Sequence, residues 1–157
     1  MIALIQNAGA NSFVLMQVSN RRFALPSAIV SELAPPVRLH TFPHKSPLVS
    51  GAIVRHGRII PVYDIASVLI ERSSSVHRFY LVARREFSDG SELSAVAVSA
   101  ECELVTAEMQ PPSENNAPYI SGTVLIDSQP IEVLNFHALV ASEAPRKSQL
   151  RNQEARS

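Results

Sequence analysis

The sequence predicts an all-β protein of short strands, closed into a barrel or packed as a sandwich. Short apolar, β-branched runs recur along the chain, and turn residues separate them. Runs this short, rich in Val, Ile and Phe, form strands and not helices. No long helical period lies between them, which argues against a parallel α/β sheet. A third observation refines the class: residues 47–69 return, in altered form, at 118–140.

The elements follow in chain order. FVLMQV (13–18) and RFAL (22–25) flank Ser19-Asn20, read as a hairpin turn because Asn tolerates the left-handed conformation. AIVSEL (28–33) comes next, and then Pro35-Pro36, a loop that neither sheet nor helix continues through. GAIV (51–54) and RIIPVY (58–63) are the following strands. Pro61 cannot donate to a ladder, so it is expected at an edge, bulge or corner. FYLVA (79–83) and LSAVAV (93–98) enclose Ser88-Asp89-Gly90, in which Asp-Gly suits a type I′ turn. This second hairpin reads as having the longer turn. ELV (103–105), a loop at Pro111-Pro112, GTVLI (122–126) and PIEVL (130–134) complete the set. Phe13, Leu15, Val62, Phe79, Leu81 and Val133 are expected in the core.

The internal repeat organises these pieces. PLVSGAIV at 47–54 reappears as PYISGTVL at 118–125, an offset of 71 residues. At that offset Val62 falls on Val133 and Asp64 on Asn135. Ile65, Val68 and Leu69 fall on Phe136, Leu139 and Val140, at the i, i+3, i+4 spacing of one helix face. Asp64 and Asn135 precede those residues as expected N-caps. Each unit therefore reads as loop, strand, turn, strand and capped short helix. Two such halves, each too small for a strong core alone, predict two small barrels about a pseudo-twofold axis.

Composition narrows the function. Lys plus Arg and Asp plus Glu both number 14, a balance unlike that of a protein whose main task is holding nucleic acid. The single cysteine, Cys102, has no internal disulfide partner, which suits a reducing cytoplasm. The apolar start MIALI lacks a basic flank, and no stretch approaches the ~20 apolar residues that span a bilayer. Membrane association is expected only through partners. Nothing marks a catalytic centre: there is no phosphate-binding GxxxxGK[ST] loop, no kinase ATP box and no G-x-S-x-G elbow. His40 and His44 would align on a helix, but Pro43 and Pro47 prevent one, so neither metal nor cofactor is expected. His77 and His137 lie beside strands or on a short apolar segment, not on the bundle helix of a phosphorelay.

Pro43, Pro47, Gly51, a strand, Gly57, then Ile60-Pro61-Val62 and Asp64 before a short apolar helix form an ordered pattern. It resembles CheW-like domains, the chemotaxis coupling proteins and the related regulatory domain of the chemotaxis histidine kinase. Val30 and Glu32 are similar to the family's V-x-E-I/V segment, and the resemblance covers about residues 12 to 142. It implies two five-stranded, SH3-like barrels and no catalysis. The chain is then read as an N-terminal segment (1–11), a CheW-like domain of two intertwined barrel halves (12–145) and, from the polar, basic composition after Arg146, a flexible tail (146–157). The resemblance further implies a cytoplasmic adaptor, with an apolar groove for the chemoreceptor's cytoplasmic tip and an end-on contact for the histidine kinase regulatory domain.

The pattern departs from the family at one turn. Val54-Arg55-His56-Gly57 stands where Asn-Leu-Arg-Gly is usual, and Ala66 where Arg is frequent. A one-residue shift in an extended segment turns a side chain to the opposite face. Val30, Glu32, Gly51, Val54, Arg55, His56 and Gly57 are therefore the expected partner-binding residues, with Gly51 admitting a close backbone. Such drift suits a divergent paralogue, one serving pili or surface behaviour. The alternative is a small-barrel binder of single-stranded nucleic acid, which requires a basic groove and stacking aromatics.

Overall fold

The computed structural model describes residues 11–43, 48–69 and 79–141. His44, Pro47, His77, most of the N-terminal segment and the 146–157 tail lie outside these residues. Among these described residues are ten strands: β1 (Ser12–Val18), β2 (Arg21–Pro26), β3 (Val30–Ala34), β4 (Val49–Arg55), β5 (Arg58–Tyr63), β6 (Phe79–Phe87), β7 (Gly90–Val98), β8 (Glu103–Thr106), β9 (Ile120–Ile126) and β10 (Gln129–Leu134). Two short helices follow β5 and β10: α1 (Ala66–Leu69) and α2 (Phe136–Ala141). A 3-10 turn at Ser27–Ile29 leads into β3.

The strands divide into two five-stranded sheets, ordered β8-β1-β2-β10-β9 and β3-β6-β7-β5-β4. Each half of the repeat gives its first hairpin to one sheet and its last three strands to the other. The joints are two short parallel ladders, Val133 opposite Ala24 and Val62 opposite Ala95. Adding 71 to Val62 and to Ala24 turns one pair into the other, so the exchange is reciprocal. The segments after β3 and β8 then close each sheet. His40 and Ala52 exchange backbone hydrogen bonds of 2.8 and 2.9 Å, and Gln110 and Thr123 exchange bonds of 2.7 and 3.0 Å.

Packing explains the absence of polar alternation in β1, β2, β6 and β7. Phe13, Leu15 and Ala24 point into the first barrel with Val124, Ile131 and Val133. Tyr80, Val82 and Ala95 point into the second with Ile53, Ile60 and Val62. The intervening residues, including Val14, Met16, Phe23, Leu81 and Val96, meet between the barrels in a third and larger cluster. Strands covered on both faces read as continuous apolar runs. Both helices add to that central cluster, α1 through Ala66 just after the buried Ile65, and α2 through Phe136, Leu139 and Val140. Asn135 caps α2, its Oδ1 accepting from the Ala138 amide at 3.0 Å. Of the expected core residues, Phe79 is only partly buried, and it packs against the central cluster.

Several local expectations need correction. The first hairpin forms, but Ser19 and not Asn20 adopts positive φ, at 55°, which is the type II′ pattern. The second hairpin does not have a longer turn. Phe87 pairs with Gly90 across Ser88-Asp89, and the extra residues extend β6 and β7. Neither Ser88 nor Asp89 has positive φ, so the turn is not type I′, and Gly90 opens the next strand. Pro61 lies one strand in from the β4 edge of its sheet, opposite Ala52; the ladder from β5 to β7 begins one residue later, at Val62.

Candidate functional site

The β4–β5 hairpin carries most of the expected site. Arg55 pairs with Arg58, leaving His56-Gly57 as a two-residue loop with φ of 51° and 76°. Positive φ at both positions is the type I′ turn, whose twist matches the strands it joins. Gly57 is what makes this inexpensive, since no side chain is strained there. The repeat builds the same turn from Asp127 and Ser128, with φ of 51° and 66°.

Barrel closure brings Glu32 of β3 to this tip. Glu32 Oε1 accepts from Arg55 Nε at 2.9 Å and Oε2 from Arg55 Nη2 at 3.2 Å, a two-pronged ion pair. His56 Nε2 lies 3.4 Å from the same Oε2. The Glu32 side chain is 13% exposed and that of Arg55 23%, whereas His56 is 75% exposed. Arg55 is thus held at the tip by Glu32. Arg55 follows Ile53 on the inner face of β4, and the tight turn brings His56 back to the same carboxylate. Val54, at the usual Asn position, faces out and is 51% exposed.

The Arg55 guanidinium holds the Glu32 carboxyl below its ordinary value of 4.5, outweighing burial, which acts to raise it; His56 adds to the lowering. The lowered value means the pair stabilises the fold fully above the unfolded-state value and is lost as pH falls through the folded-state value. Glu32→Gln is therefore expected to reduce the loss of Tm between neutral pH and pH values below about 4, seen by thermal melts across that range. An unchanged acid limb in that variant would refute the assignment.

The remaining expected residues have other surroundings. Val30 is buried at 7% exposure within the central cluster, so its side chain offers little to a partner. Gly51 does admit a close backbone, but the backbone belongs to this chain: a Cβ there would stand 2.5 Å from the His40 carbonyl oxygen. Two exposed residues of the same hairpin, Arg58 and Ile59, were not among those expected. Ile59 sits opposite Val54 and is 79% exposed, while Ile60 and Val62 are buried. Strict alternation along RIIPVY would have placed Ile59 outside.

The family model of the CheW-like domain matches residues 12–144. The chain belongs to the CheW-like domain family. Its fold is similar to the crystal structure of the scaffolding protein TtCheW from Thermoanaerobacter tengcongensis, with a TM-score of 0.70 and 18% sequence identity. That match covers 85% of this chain and 89% of the other. No curated protein matches the sequence. For this CheW-like chain, the comparison supports the two-barrel architecture.

Other chemistry finds little footing. Among the described residues no group of three or more His, Cys, Asp or Glu is placed to hold a metal ion. Burial pushes the Cys102 thiol up to about 12, which makes it a poor nucleophile near neutral pH. His137 is exposed, with its ring edge-on to Phe87 at 5.2 Å. Phe13, Phe23, Tyr80 and Phe136 are buried in the cores, where they are not open to stacked bases. No helix among the described residues is long and apolar enough to cross a membrane.

Proposed function

We propose that this chain is a non-catalytic adaptor that couples the cytoplasmic tip of a chemoreceptor to the regulatory domain of a chemotaxis-type histidine kinase. Membership of the CheW-like family supports the adaptor class. The observation that carries the residue assignment is the cluster of Glu32, Arg55 and His56 on a rigid hairpin tip. Two chain segments, β3 and the β4–β5 hairpin, meet there in polar contact, and His56 remains open to a partner. Side chains held by mutual hydrogen bonds lose little further freedom on docking. Val54 and Ile59, exposed beside them, supply apolar area of the kind that anchors an interface. The altered turn supports a divergent paralogue whose partners differ from those of the usual coupling protein, such as one serving pili or surface behaviour. Association with the inner face of the membrane would come through those partners.

Co-purification with a cognate kinase regulatory domain tests the reading. The unmodified protein should retain the kinase fragment. Arg55→Ala combined with His56→Ala should weaken retention by at least about tenfold, since charge-paired interface residues often cost more than 1.4 kcal/mol. Undiminished retention by the double variant would remove the tip from the interface. Failure of the unmodified protein to bind any kinase or receptor fragment would overturn the adaptor reading.

A further inference from the structure

The repeat makes the open ends of the two barrels equivalent, yet they differ in charge. In the first barrel the strands end, on the inward side, at Gln17, Arg22, Glu103, Ile126 and Gln129, each two residues beyond a member of that barrel's core. Arg22 and Glu103 are 3.9 Å apart, so this mouth is neutral. The corresponding positions of the second barrel are Arg84, Leu93, Glu32, Arg55 and Arg58. Arg55 is paired with Glu32 and Arg84 with Glu86. Among the described residues Arg58 has no ion-pair partner. It stands directly opposite Arg55, a like-charge cross-strand pair that weakens the hairpin. Ile126 opposite Gln129 shows that the turn folds without this conflict.

The second mouth also has depth. A cleft of about 310 Å³ lies beneath Arg55, His56 and Arg58, with Ile60, Val82 and Leu93 along its walls. That volume is at the lower end for a ligand-sized cavity. Both Glu32 oxygens are already engaged, so the carboxylate does not neutralise Arg58. Surplus positive charge above an apolar floor fits an anion carried next to an aliphatic group.

We propose that the mouth of the second barrel receives an acidic, aliphatic segment of a partner protein, with a Glu or Asp carboxylate on Arg58 and a neighbouring Leu-like side chain against the half-buried Leu93, at the apolar wall of the cleft. The proposal rests on the adaptor reading and names the chemistry of the partner at that site. Nucleic acid fits less well, because a phosphate track has no use for the apolar walls and the chain as a whole carries no net charge.

NMR titration of the full chain with a short synthetic peptide alternating Glu and Leu tests it. The peptide should shift the amides of Ser31, His56, Gly57, Arg58 and Leu93. Replacing the peptide's Glu by Gln, or the protein's exposed Arg58 by Gln, should weaken binding about tenfold. Equal affinity for the Gln peptide, shifts confined elsewhere, or tighter binding of a short oligothymidylate at the cleft would each overturn the proposal. The kinase experiment separates the two readings. Kinase retention unaffected by Arg58→Glu overturns this inference and leaves the adaptor reading intact. Peptide binding lost in Arg58→Gln, with no kinase or receptor fragment retained by the unmodified protein, overturns the adaptor reading and leaves the mouth's chemistry standing.

Discussion

Phe23→Ala is expected to destabilise the protein by about 3–5 kcal/mol and to unfold both barrels together. Phe23 is 1% exposed and belongs to the cluster between the barrels, although its strand lies in the first sheet. The Arg21 guanidinium covers its ring at 4.8 Å, and its backbone stands opposite Glu132 in the parallel ladder. Removing the ring opens a cavity among residues contributed by both barrels. The neighbours are strands paired on both edges, so they have little freedom to collapse into the gap. Urea denaturation followed by far-UV circular dichroism and by tyrosine fluorescence should give coincident, shifted midpoints. In a Tyr119→Phe background the signal comes from Tyr63 and Tyr80, both on strands of the second sheet, so a transition limited to the first barrel would leave the fluorescence midpoint unmoved and refute the coupling. The exchange of hairpins is the physical basis of this expectation. Each sheet contains strands from both halves of the repeat, and neither half can keep a barrel when the other is lost.

Gly122→Val should cost about 3 kcal/mol, more than an ordinary surface change in a strand. A Cβ at residue 122 would overlap the Gln110 carbonyl oxygen and approach the Met109 side chain to within 2.7 Å. Gln110 and Thr123 exchange the two hydrogen bonds that close the first barrel, so relief of the overlap breaks that closure. Gly51→Val should act alike in the second barrel, where the His40 carbonyl takes the same part. Gly57→Ala provides the contrast. Nothing lies within 4 Å of a Cβ there, and only the positive φ of 76° opposes it, for about 1 kcal/mol. Chemical denaturation of the three variants should rank them in that order of severity, with Gly57→Ala mildest. Equal losses at Gly122 and Gly57 would show that backbone strain, and not close approach, governs both.

Much of the fold was legible because strands this short announce themselves by composition. All nine apolar runs lie within observed strands, and the two short helices begin after Asp64 and Asn135 as their periodicity requires. The tenth strand, Val30–Ala34, was less visible, since Ser31 and Glu32 interrupt its apolar character. Turn type was harder than turn position. Left-handed backbone fell on Ser19 and not on Asn20, whereas hairpins with the same two-residue loop put it on both central residues, at His56-Gly57, or on neither, at Ser88-Asp89. Ile59 was hidden for a different reason. In RIIPVY its apolar neighbours suggest burial, but only one face of β5 meets the core.

The candidate site divides in the same way. Arg55, His56 and Gly57 could be singled out because the second copy of the repeat replaces them, so folding alone does not explain them. Glu32 could be named from its segment, but nothing in the chain order joins it to Arg55, 23 residues later. β3 and β4 occupy opposite ends of one sheet, and only curling that sheet into a barrel lays the carboxylate against the guanidinium. Arg58 depends on the same curling, since its surplus charge becomes apparent only when Glu32 is seen to be fully engaged by its neighbours. By itself, then, the sequence determined the strands, the duplication and the exceptional turn, because composition, periodicity and self-similarity are local or translational properties. The tertiary structure alone decided the exchange of hairpins, the burial of Val30 and the meeting of Glu32 with Arg55. Those depend on which sheet edges close, a consequence of the chain's long-range packing.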